Sequence, residues 1–130
     1  MKKILLLSFV LFPTILHANK ITIVCEAYQG KSLLTKDRKF VDDSLLGTET
    51  IVYDPKRSED RATLTITDKT GGTDLVDLSV AHLSHGNTIL FMETFPSGRT
   101  IRQYYFDDKT MILVRTNFMG ATVMHARCKH

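Results

Sequence analysis

The sequence predicts an all-β fold, an antiparallel up-and-down meander of about eight strands forming a small closed or nearly closed barrel. Three observations carry this reading. Hydropathy alternates with a period of two in segment after segment, where an amphipathic helix would repeat every 3.6 residues. Short clusters of Gly, Pro, Asp and Asn separate the segments at hairpin spacing, too close for βαβ crossovers. The two cysteines, Cys25 and Cys128, stand near opposite ends of the series. Closure would bring first and last strands side by side and remove the free edges that invite aggregation. A two-sheet sandwich is the competing arrangement.

The first segment is not expected to join the fold. Lys2 and Lys3 precede an apolar run from Ile4 to Leu16, and His17-Ala18 ends it, the order of a secretory signal peptide cleaved after Ala18. The run contains Pro13 and is shorter than the roughly 20 residues a membrane-spanning helix needs. Cys25 follows Val24 inside a strand-like stretch, so a lipid-anchored N-terminus is not expected. Removing 18 of the 130 residues leaves 112, a single domain spanning 19–130. Removing Lys2 and Lys3 from the 17 basic side chains leaves 15 against 14 acidic ones, a net of +1 where the precursor has +3. That near-neutral balance takes away the electrostatic basis for nucleic-acid binding. An exported chain meets an oxidising compartment, where an even cysteine count reads as a disulfide between Cys25 and Cys128. The Met-Lys-Lys start and the short signal favour a bacterial periplasm, with release outside the cell as the alternative.

The strands follow in order. Ile21 to Tyr28 places Ile21, Ile23, Cys25 and Ala27 on one face, which is apolar and expected to point inward. Gln29 to Gly47 reads as a long charged link; Leu33, Phe40, Val41 and Leu45 recur at near-helical spacing, so a short helix capping one barrel end is an option beside a loop. Glu49 to Asp54 ends at Pro55. Ala62 to Thr67 sets Leu64 and Ile66 against three threonines, a half-buried strand. Asp68-Lys69-Thr70-Gly71-Gly72 reverses the chain into Asp74 to Leu83, with Val76, Leu78 and Val80 on one side. His85-Gly86-Asn87 marks another turn. Thr88 to Phe95, Thr100 to Phe106, Thr110 to Phe118 and Ala121 to Lys129 complete the series, with Cys128 sharing a face with Met124 and Ala126.

Residues that suggest chemistry have simpler structural explanations. His82 and His85 would share a metal on a helix, but at a strand end their odd separation puts them on opposite faces, and His125 and the terminal His130 are remote in sequence. Lys69-Thr70-Gly71-Gly72-Thr73 lacks the spacing and the following helix of a phosphate-binding loop. The pairs Asp42-Asp43 and Asp107-Asp108 sit where turns and links are solvated, and Glu26 and Glu93 lie within strands. Ser97 has no Gly-x-Ser-x-Gly elbow. No catalytic residue, metal or cofactor is therefore expected.

Binding is the remaining reading. In Thr100 to Phe106, Arg102, Tyr104 and Phe106 share one face, and Arg115 shares a side with Met111 and Leu113. Arginines on the outside would form a basic stripe for an acidic partner; arginines on the inside would need partners there or an anionic ligand. The solvent-facing arrangement is the simpler expectation.

Ser97-Gly98 lies in a turn and Gly120-Ala121 precedes the last strand. In these two points alone the chain resembles the small periplasmic inhibitors of lysozyme, exported β-barrels of this size with a disulfide, an analogy short of family membership. The aromatic and lysine residues expected between those points are absent or displaced, and the chain has no tryptophan. The likeness implies only a mechanism class, a protruding loop with Ser97 and Arg99 that plugs an acidic cleft.

The expectation is a non-enzymatic exported barrel that binds, most simply, another protein of the envelope, as a complex component or an inhibitor. Ser97, Arg99, Arg102, Tyr104 and Arg115 are the candidate contact residues. The alternative is a carrier of a small apolar or amphipathic ligand inside the barrel, lined by Phe91, Met92, Tyr104, Phe106 and Met111.

Overall fold

A computed structural model of the chain describes residues 19–82 and 87–130. The expected signal segment and His85 lie outside the described residues. Eight antiparallel strands run in sequence order and close into a barrel: β1 (Ile21–Leu34), β2 (Lys39–Tyr53), β3 (Arg61–Asp68), β4 (Thr73–His82), β5 (Thr88–Phe95), β6 (Gly98–Tyr105), β7 (Thr110–Asn117) and β8 (Gly120–Lys129). The barrel, not the sandwich, is the arrangement adopted. Turns at 35–38, 69–72, 96–97 and 118–119 mark one end, hereafter the upper end; segments 54–60 and 106–109 lie at the lower one.

β1 closes the barrel against β8, and Cys25 stands directly opposite Cys128 with the two Cα atoms 4.3 Å apart, joined by a disulfide. The bond spans a sequence separation of 103; constraining a loop of that size in the unfolded chain stabilises by about 4–5 kcal/mol in the chain-entropy model. A disulfide of this kind fits an oxidising compartment.

The alternation read in the sequence is the alternation of burial. Ile23, Cys25, Ile51, Tyr53, Leu64, Leu78, Ile89, Phe91, Tyr104, Met111, Leu113, Ala126 and Cys128 all point into the core. One inward assignment is corrected. Ala27 is exposed, with φ at 53°, because the ladder slips between Glu26 and Tyr28. The bulge shifts the phase of the strand, so Tyr28 takes the buried position instead.

The expected link from Gln29 to Gly47 is also corrected. It contains no helix: β1 continues to Leu34, β2 begins at Lys39, and only 35–38 form the turn. The long charged hairpin is held along its whole length, since Leu34 pairs with both Lys39 and Gly120. Gly30 allows this approach, because a Cβ there would overlap the Val123 carbonyl oxygen. β3, however, joins β2 only from Gly47 onward, opposite Asp68. Residues 39–46 of β2 therefore stand above the closed part of the barrel, paired to β1 on one side alone.

Among the described residues the core is apolar except for the buried hydroxyls of Ser32 and Thr100 and one charged cluster. Arg102, Glu49 and Tyr28 are all fully buried. Tyr53, Phe91, Tyr104 and Phe106 fill the lower half. The Tyr104 and Phe106 rings meet edge to face at 5.0 Å, and the Tyr53 hydroxyl donates to the Glu59 carbonyl at 2.9 Å.

Candidate binding surface

Arg102 points inward, and its partners are already inside. Its Nε and Nη2 donate to the two carboxylate oxygens of Glu49 at 2.9 and 2.7 Å, and Nη1 donates to Glu93 at 3.2 Å. The Tyr28 hydroxyl donates to Glu49 Oε2 at 2.9 Å. Burial alone would weaken the hold of Arg102 on its proton, but the hydrogen bonds and charge of Glu49 outweigh it and keep the guanidinium charged. Burial, reinforced by the charge and hydrogen bond of Glu49, pushes the Tyr28 phenol far above its ordinary value. Each guanidinium nitrogen of Arg102 has a carboxylate acceptor, so the cluster acts as an internal brace.

Arg115 also points inward, contrary to the solvent-facing expectation, but it sits higher and is only half-buried. Register pairs carry a belt of polar side chains around the upper mouth: Glu93 faces Thr100, Thr100 faces Arg115, Arg115 faces Thr122, and Thr122 faces Ser32. Arg115 Nε donates to Thr100 Oγ1 at 3.2 Å, while the Ser32 hydroxyl lies 2.6 Å from Thr122 Oγ1 and 2.5 Å from Asp43 Oδ2. Asp43, Leu45, Leu113, Arg115, Thr122 and Met124 line a cleft of about 140 Å³ beneath this mouth.

The outer surface is strongly asymmetric. Among the described residues the exposed large hydrophobics are Leu34, Phe40, Val41, Leu46, Leu75, Phe118, Met119 and Val123. All eight lie in the upper half of the barrel, by their positions on the strands and turns. Phe118 and Met119 form the two-residue turn of the β7–β8 hairpin, since Asn117 pairs with Gly120. Phe118 is 77% exposed and Phe40 71%. The two regions adjoin, because the Thr35 amide and hydroxyl both donate to the Met119 carbonyl at 2.9 Å. Across the strands, Ala121, Leu33 and Phe40 form one outward row, with Val123, Lys31 and Asp42 beside it. The Lys31–Asp42 bridge, 2.8 Å long, draws the Asp42 carboxyl below its ordinary range through hydrogen bond and charge.

Ser97 and Arg99 stand exposed at the same end, Ser97 in a two-residue turn fixed by the Phe95–Gly98 pair. Arg102 and Tyr104 are buried, so of the five candidate contact residues only Ser97, Arg99 and Arg115 reach the upper surface or mouth. Phe91, Tyr104 and Met111 belong to the packed core; Phe106 packs against it at the lower end, and Met92 lies on the opposite face of β5. His82 Nε2 lies 3.0 Å from the Tyr53 hydroxyl, His130 Nδ1 lies beside the Tyr104 hydroxyl, and His125 is on the exterior. Among the described residues no three His, Cys, Asp or Glu side chains converge as a metal site would require.

Two features escaped the sequence reading. Glu49 shares the alternation of Ile51 and Tyr53, which is a signal for an inward acid needing a cation. Phe118-Met119, two large apolar residues in a tight turn that ordinarily takes polar ones, signals a surface with a use.

No protein-family model, curated protein or solved structure matches this chain.

Proposed function

We propose that the protein is an exported, periplasmic, non-enzymatic binding module that docks onto another envelope protein through its upper end. The observation that carries this reading is the confinement to that half of all eight exposed large hydrophobics among the described residues. An exposed apolar patch on a small domain marks an interaction site where it interrupts a polar exterior, and Phe40, Phe118, Met119 and Val123 supply one on adjoining elements. The lower end is of that polar kind, with Lys56, Arg57, Glu59, Asp60, Asp107, Asp108 and Lys109 exposed.

The packing of the core supports a protein partner over an internal ligand. Phe91, Tyr104 and Met111, which a carrier would use as cavity walls, are fully buried against other side chains, and the interior charge is matched by interior partners. The disulfide supports export. An inhibitor would use the same end, with the Pro96-Ser97 turn and Arg99 beside the Phe118-Met119 turn as its leading edge.

Native mass spectrometry of the protein purified gently from its own host tests the reading. The expected species is an oxidised chain carrying a second protein, and Phe118→Ser reduces that species at least tenfold. An oxidised monomer retaining a small-molecule adduct would overturn the reading in favour of a carrier.

A further inference from the structure

We infer that the upper edge of β2 receives an extended strand of the partner protein, so that docking proceeds by strand addition. The inference rests on the upper end being the docking surface and specifies how that surface works.

The direction of the backbone groups can be followed residue by residue. The Thr35 amide donates to Met119, and the Leu33 carbonyl faces Gly120, so the odd-numbered groups of upper β1 point to β8. The even-numbered groups then point to β2, where Ser32 pairs with Val41 and Gly30 with Asp43. Val41 and Asp43 spend their amides and carbonyls on β1. Phe40, Asp42 and Ser44, whose groups point the other way, find no strand there among the described residues, because β3 begins its pairing at Gly47. Of the amides of Phe40, Asp42 and Ser44, only that of Ser44 has a partner among the described residues, and it comes from the chain itself: Asp43 Oδ1 accepts from it at 2.8 Å. An unpaired edge with exposed Phe40 and Leu46 beside it is a template for another strand.

The chemistry of the edge specifies the occupant. On the outer face, Phe40 and Leu46 call for apolar side chains at alternate positions of the incoming strand. On the inner face Asp43 is without an ion-pair partner among the described residues, whereas Asp42 is matched by Lys31. A basic residue at the intervening positions answers that carboxylate. The fitting segment therefore carries apolar residues opposite Phe40 and Leu46 and a basic residue opposite Asp43, a spacing that an alternating apolar and basic strand supplies. Asp43 facing inward also opposes pairing with a second copy, which in the register matching Phe40 to Leu46 would set Asp43 against its own counterpart.

The test uses the full barrel domain and an eight-residue peptide of alternating valine and lysine with blocked ends, followed by amide NMR and hydrogen exchange. In the free protein the amides of Phe40 and Asp42 exchange rapidly while those of Val41 and Asp43 are protected. Peptide addition gives saturable shifts centred on 40–44 and slows exchange at Phe40, Asp42 and Ser44 at least tenfold. Ser44→Pro removes an edge donor but no bond to β1, and weakens peptide binding at least tenfold with the spectrum otherwise folded; Asp42→Pro serves if Ser44→Pro does not fold. A glutamate version of the peptide binds several-fold more weakly. Slow exchange at Phe40 and Asp42 in the free monomer, shifts confined to another surface, an unshifted spectrum, or concentration-dependent protection from self-pairing would each overturn the inference. Loss of upper-end contact in cells would remove its premise; peptide failure with that contact intact would remove strand addition alone.

Discussion

Arg102 illustrates how a single side chain can be read wrongly from its own strand and correctly from the closed barrel. On β6 alone its face mixes Tyr104 and Phe106 with a charge, which suggests solvent. Its destination is decided by Glu49, 53 residues away on β2, which offers two oxygens inside the barrel. Removing one partner of such a pair strands the other charge in the core, so Arg102→Met is expected to lower stability by about 3–5 kcal/mol in urea unfolding. Pairing it with Glu49→Leu should restore most of the loss. The tyrosines add a pH dependence. Tyr28, Tyr53 and Tyr104 all hold their protons above the ordinary value of 10.0, chiefly through burial. The folded state thus binds protons that the unfolded chain releases. Its stability is fully present below pH 10 and falls as pH rises beyond it. Urea midpoints measured from pH 8 to 12 should show that decline, and Tyr28→Phe should make it shallower.

At the scale of elements, the period-two alternation placed β3 to β8 to within about two residues, because clusters of Gly, Pro, Asp and Asn mark most of the reversals between them. It failed where phase or polarity was locally blurred. Ala27 adopts a left-handed conformation at the bulge, and nothing in Glu26-Ala27-Tyr28 marks it, since glycine is the residue that would announce such a turn. Ala27→Gly is expected to raise stability by about 0.5–1 kcal/mol, read from the chemical-denaturation midpoint. The 29–47 segment was illegible for another reason: above Gly47 β2 has a neighbour on one side only, and much of its surface stays exposed. Its hydropathy therefore carries little of the pattern that a two-sided strand shows. The same blurring concealed the open edge, a feature of pairing that no single segment encodes.

For the whole molecule, closure and the Cys25–Cys128 bond were legible because the two cysteines share the inward phase of terminal strands. The upper mouth was legible only in part. Ser97, Arg99 and Arg115 were found through residue type, whereas Phe40, Phe118 and Met119 gain meaning only once the β1–β2 hairpin and the β7–β8 turn are neighbours. The resulting molecule sets its exposed large hydrophobics among charged turns at the upper end, is polar at the lower end and is braced by charge inside. The proposed working surface is the upper end. Site-specific photo-crosslinking in the native host, with the reactive group placed at Phe40, Phe118 or, as a lower-end control, Arg57, tests it most directly. The expected result is one protein adduct of the same mass from positions 40 and 118 and none from position 57. Adducts from position 57 alone, or equal yields from all three, would contradict the assignment of the upper end.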